Sequence, residues 1–171
     1  MFNSTSNELY DILVAYITTN QDKFYRIAYT YVKNEQAALD TVQESIYKAL
    51  THHQSLKTKD YIQTWFYRIL VNECLSYLRK QKPILSLSSF INSIVHTDNY
   101  PLDELDMSEK LDALPPKIKT IIILHYFESL TLSEIADITN TNLSTVKSRL
   151  YKGLKLLKVK YEEEETLYES H

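Results

Sequence analysis

Between residues 144 and 160 the chain sets six cations, Lys147, Arg149, Lys152, Lys155, Lys158 and Lys160, and no acid. A merely solvated helix interleaves Glu with Lys at i,i+4, whereas a one-sign stripe repels itself unless phosphates neutralise it. The chemistry open to such a stripe is nucleic-acid binding. Helical spacing turns Val146 and Leu150 to one side and leaves Thr145, Lys147, Ser148, Arg149 and Lys152 projecting outward, with Ser144 placed to cap the helix. Upstream, Thr131 and Glu134 read as a capping box. That box opens a short helix whose apolar side is Leu132, Ile135 and Ala136, and Asn140, tolerant of a left-handed backbone, ends it. The whole reads as a helix-turn-helix. The apolar pattern alone leaves a DNA reader and a plain packing unit about even; the charge favours DNA.

Two further constellations are weaker on their own. Asp40, Gln43, Glu44 and Tyr47 fall on the side of a helix opposite Leu39, Val42 and Ile46, a polar face that is usually just solvated. Another helix opens with Tyr61, Trp65, Phe66 and Tyr67 and carries Arg68, Arg79, Lys80 and Lys82. Aromatic rings beside cations can hold unpaired bases by stacking and backbone neutralisation, while Phe66 and Ile69 are expected to pack in the core. No Gly-rich phosphate loop, nucleophile elbow or HExxH is present, and His52-His53 reads as a solvated pair rather than a metal site. Catalysis, a cofactor and a metal are therefore not expected.

The elements that must position these residues are helical. One glycine, Gly153, and four prolines in 171 residues leave little for the turns of a strand-rich fold. A single cysteine, Cys74, excludes an internal disulfide and a cysteine-based zinc site, and the apolar runs are too short for a membrane span or a signal peptide, so a cytoplasmic protein is expected. Apolar residues recur with helical period at Leu9, Ile12, Leu13, Tyr16 and Ile17, at Phe24, Ile27, Ala28, Tyr31 and Val32, and at Leu39, Val42, Ile46 and Leu50. A fourth helix, through Ile62, Trp65, Phe66, Ile69, Leu70, Leu75 and Leu78, should end where Lys82 precedes Pro83. The fourteen tyrosines suit helix faces with one wet edge.

Residues 83–110 lose that period and gain Ser, Asn, Asp and Pro. They read as a flexible linker in which Phe90, Ile91, Ile94 and Val95 could form a short docking turn. Leu114-Pro115-Pro116 starts a second domain whose first helix packs through Ile118, Ile121, Ile122, Leu124 and Phe127. The expected fold is all-α, two small helical domains spanning 1–82 and 111–171. Net charge is −3, with acids concentrated between and after the helical parts: residues 83–110 carry 1 Lys/Arg against 5 Asp/Glu. Phosphate neutralisation supplies most sequence-independent affinity for DNA, so a chain charged this way depends on a larger machine to reach it.

Taken together, these residues resemble a sigma factor of the extracytoplasmic-function group of the sigma-70 family. Residues 22–50 resemble regions 2.1–2.2, with Asp40, Gln43 and Glu44 in the Asp-x-x-Gln-Glu pattern; 64–82 resemble regions 2.3–2.4; and 114–157 resemble region 4. The resemblance implies that the polar face of Asp40, Gln43, Glu44 and Tyr47 docks on the β′ clamp helices of core RNA polymerase, with the β flap as a second contact. It implies that Ser144, Thr145, Lys147, Ser148, Arg149 and Lys152 meet the −35 element in the major groove. It implies that Tyr61, Trp65, Arg68, Asn72, Arg79 and Lys80 serve the −10 element, one base being flipped into a pocket made by the 52–60 loop and the helix bearing Asn72. A membrane-anchored anti-sigma factor is the further implied partner, and 25–45 look most like members tied to cell-wall damage. Ser76 stands where relatives often have Asp, and Asn140 where glycine is common. The rivals are a stand-alone helix-turn-helix regulator, which would dimerise and bind without polymerase, and an interaction module, which leaves the lysine stripe unexplained.

Overall fold

The computed structural model describes residues 4–88 and 110–169, with side chains over 7–81 and 110–158. Contacts divide the chain into two compact units, Met1–Ser89 and Phe90–His171. Among the described residues there is no strand. The residues proposed for a docking turn, from Phe90 to Val95, lie outside those described.

The first unit is built from α1 (Ser4–Thr19), α2 (Gln21–Val32), α3 (Glu35–Thr51) and α4 (Ile62–Ser88). Lys33, in the left-handed region at φ 53°, ends α2, and Asn34 caps α3 by accepting from the Ala37 amide at 2.8 Å. The core is aromatic: Phe24 stacks on Phe66 with centroids 4.3 Å apart, Tyr67 meets Phe24 edge-on at 5.9 Å, and Tyr16 touches both phenylalanines. Tyr67 and Tyr31 are thus core residues, not wet-edged ones. The helix bearing Trp65 does not stop at Lys82 but continues through Pro83 to Ser88. The proline's fixed φ is compatible with a helix, at the cost of the bond to the Arg79 carbonyl and of crowding against it. On α3 the buried positions are Ala38, Thr41, Val42, Ser45 and Ala49; Leu39, expected inside, is 45% exposed. Small residues inside let α3 lie close to its neighbours, and Leu39 turns out beside the polar face.

In the second unit a turn at 110–112 leads into α5 (Pro116–Ile122), which runs on as a π-helical turn over Ile123–Phe127, then α6 (Leu132–Thr139) and α7 (Leu143–Glu169). Buried Lys119 reaches Asp112 at 2.9 Å and ties the 110–112 turn to α5. The core here is aliphatic: Ile118, Ile121, Ile122, Ile123, Leu124, Ile135, Ile138, Val146 and Leu150. The wider π turn shifts the register, so Ile123 is buried while Phe127, expected inside, is half exposed. Gly153 is buried on α7, where a Cβ would lie 2.7 Å from Ile118 Cγ2 and 3.1 Å from Ile122 Cδ1. The glycine marks a helix crossing too close for any side chain.

Candidate nucleic-acid interface

The helix-turn-helix is set by its caps. Thr131 Oγ1 accepts from the Glu134 amide at 3.2 Å, and the Glu134 carboxylate accepts from the Thr131 amide at 2.8 Å. Asn140 takes the left-handed conformation at φ 48°, so the chain turns without glycine. The cap of α7, however, is Asn142 and not Ser144: Asn142 Oδ1 accepts from the Thr145 amide at 2.8 Å and from Ser144 Oγ at 2.8 Å. An Asx side chain two residues earlier outcompetes the hydroxyl, which leaves Ser144 exposed in the first turn. Val146 and Leu150 are buried as the spacing requires. Lys147, Ser148 and Lys152 are exposed, and Thr145 and Arg149 half-buried, on the outward side. The convex face therefore presents three cations next to a helix N-terminus, itself a favourable place for phosphate.

A second surface lies in the first unit. After α3 the chain makes two short 3-10 turns, His53–Ser55 and Lys59–Tyr61, around buried Leu56. His52 Nδ1 lies 3.0 Å from the Lys48 carbonyl and His53 Nδ1 2.7 Å from the Leu50 carbonyl. A carbonyl can only accept, so each ring carries its proton on Nδ1. The His53 ring also packs edge-on against Tyr10 of α1, 4.9 Å away. Ser55 Oγ donates to the His52 carbonyl and accepts from the Trp65 indole at 3.2 Å, which fixes the plane of that ring. Between this loop and α4 lies an open hollow of about 240 Å³ lined by Lys48, His52, Ser55, Trp65, Ile69, Asn72 and Glu73.

Of the residues expected to serve separated strands, only Trp65 and Asn72 line the hollow. Tyr61 and Arg68 are exposed near the start of α4, and Arg79 and Lys80 lie two turns beyond Asn72, also exposed. Tyr67, which belongs to the aromatic run at the head of that helix, is sealed in the core. Lys48 and Glu73 escaped the sequence reading, yet both line the hollow and meet there at 2.7 Å. Only the contact of α3 with α4, which no local pattern announces, brings them together. Lys48 also lies 3.4 Å from Glu44. The Glu73 hydrogen bond, ahead of its charge and that of Glu44, raises the Lys48 pKa and outweighs desolvation. Burial pushes the Cys74 thiol, one residue on and facing inward, up to about 12.

The third surface is the α3 face. Asp40, Gln43, Glu44 and Tyr47 are all exposed, with Tyr47 at 65%. Gln36 donates to Asp40 Oδ1 at 2.9 Å, and Leu39 lies along the same edge. An exposed leucine and tyrosine among acids suit a protein partner better than a purely solvated face does.

Two known families match this arrangement segment by segment: Sigma-70 region 2 over residues 16–84 and Sigma-70, region 4 over residues 104–157. The chain belongs to the sigma-70 family. Among its relatives, RNA polymerase sigma factor SigV of Bacillus subtilis is 45% identical over 157 residues, covering 90% of this chain and 93% of that protein. ECF RNA polymerase sigma factor SigW of the same organism is 31% identical and covers 81% of this chain and 82% of the relative. The fold is shared with the sigma factor RpoE of Bartonella quintana, solved with the anti-sigma factor NepR, at a TM-score of 0.71 and 23% identity over 84% of this chain and 92% of that one. This protein is thus an alternative sigma factor of the extracytoplasmic-function group, a family of transcription-initiation factors. Among the described residues no helix is long and apolar enough to cross a membrane.

Proposed function

We propose that this sigma factor acts in the cytoplasm, docking on core RNA polymerase through Asp40, Gln43, Glu44 and Tyr47 and dividing promoter recognition between two domains, 1–82 and 111–171, joined by the 83–110 linker. The α7 face, from Ser144 through Thr145, Lys147, Ser148, Arg149 and Lys152, takes the −35 duplex; phosphate contacts fix register and base-edge contacts select sequence. Tyr61, Trp65, Arg68, Asn72, Arg79 and Lys80 serve the −10 element, where one base leaves the stack and enters the hollow beside Trp65. Flipping costs a few kcal/mol, which stacking and polymerase contacts offset. The reaction needs no covalent step from this chain. A membrane-anchored anti-sigma factor that masks the polymerase-facing surface until the envelope is damaged would supply the switch.

The single observation that carries this reading is the fixed indole of Trp65 at the edge of an open, base-sized hollow, next to Asn72. A stand-alone repressor has no use for such a feature. Run-off transcription with purified core enzyme tests it: Asp40→Ala/Glu44→Ala should lose core association and transcript together. Tight footprinting of duplex DNA by a dimer without polymerase would establish the repressor instead. For the anti-sigma arm, a neighbouring gene should encode a small protein with one hydrophobic span of about 20 residues.

A further inference from the structure

Among the groups lining the hollow is the carboxylate of Glu73. Its side chain is 20% exposed, against 50% for Glu44. A carboxylate facing DNA ordinarily opposes binding, because it repels phosphate. Here the Lys48 ammonium, shared with Glu44 at 3.4 Å, pairs with Oε1 at 2.7 Å, so the Glu73 charge is locally offset while the carboxylate keeps acceptor capacity on both oxygens. An acceptor offset by a cation in the lining of a base-sized hollow can read a base edge with less repulsion of the backbone. At about 240 Å³ the space falls below the roughly 300–1,000 Å³ of drug-sized sites and suits one base rather than two.

We propose that Glu73 is a specificity-determining residue of this hollow, accepting a hydrogen bond from the exocyclic amine of the captured base and so favouring cytosine over thymine. The inference rests on the reading of the hollow as a pocket for an unpaired base. Cytosine presents N4–H₂ where thymine presents a carbonyl at the same ring position, and glutamate accepting from that amine is an established base pairing of side chains. Thymine would set its carbonyl oxygen against a carboxylate, two acceptors with no proton between them. Adenine, which also carries an exocyclic amine, ranks second.

The test retains single-stranded non-template oligonucleotides, randomised in sequence, on holoenzyme made with this sigma factor, and sequences what is held. At one position cytosine should exceed thymine by roughly tenfold. Glu73→Gln, nearly isosteric and able to both donate and accept, should bring that ratio near one while retaining the strands. Lys48→Met should weaken retention overall but keep the cytosine preference, because it removes charge and not the acceptor. A preference that Glu73→Gln leaves intact while Trp65→Ala abolishes it would overturn the role of Glu73 and leave the pocket standing. Equal retention by wild type and Trp65→Ala, with no position enriched, would overturn both.

Discussion

On the proposed reading the two units meet the same problem, holding DNA with a chain of net charge −3, in opposite ways. The second unit uses the convex face of one helix. Its cations stand on α7, and the requirement on the rest of the unit is a rigid seat, supplied by isoleucines and the close crossing at Gly153. The first unit uses a concavity assembled from three places in the chain: the end of α3, the 52–60 loop and the middle of α4. Its lining brings acid and base together, and its core is a cluster of rings that sets the α2–α4 packing. A face suits a duplex, whose grooves and phosphates are presented outward; a hollow suits a base that has left its stack. The proposed division of labour thus matches the shape each core supports.

Three substitutions probe that difference, from the largest effect to the smallest. Phe66→Ala removes the central ring of the first core and should cost about 3–5 kcal/mol there. Thiol labelling reads it directly, because Cys74, buried and with its pKa pushed up to about 12, stays protonated and shielded near neutral pH until the first unit opens. Labelling should accelerate while hydrogen exchange in α5 to α7 stays unchanged; equal loss of protection in both units would mean that they are one cooperative body. Gly153→Ala makes the converse test. Its Cβ would press on Ile118 Cγ2, a stiff β-branched neighbour, and even after the gain in helix propensity a net loss of about 1–2 kcal/mol is expected, confined to the second unit. A stabilised variant would show that the helices can part at little cost. Thr131→Ala, which removes one half of the capping box, should cost about 1 kcal/mol and show as faster exchange at the start of α6.

The two units also differed in how far they could be read from sequence. The helix-turn-helix is local: a capping box at i,i+3, a left-handed asparagine and an apolar pair at i,i+4 all lie within thirty or so residues, and each is stated by residue type. Even there the cap of α7 fell on Asn142 because two polar residues close together can each start the helix, and Phe127 turned outward because nothing in a hydropathy pattern announces a π turn. In the first unit the helices were legible and the hollow was not. Trp65 was singled out as an aromatic beside cations and Asn72 through the family resemblance, but Lys48 and Glu73 are 25 residues apart and meet only through tertiary packing. The long fourth helix passed its proline although residue 82 before a proline reads locally as a stop. Gly153 was noticed as rare; that it marks a close helix crossing required the coordinates.

The claim on which the rest depends is that the first unit traps separated strands while the second reads duplex. Permanganate footprinting of one promoter with the assembled holoenzyme tests it most directly, comparing wild type with Trp65→Ala. The division of labour predicts that the variant still binds core and still protects the upstream −35 duplex, but leaves the thymines of the −10 region unreactive. Thymine reactivity equal to wild type, with the indole gone, would contradict it.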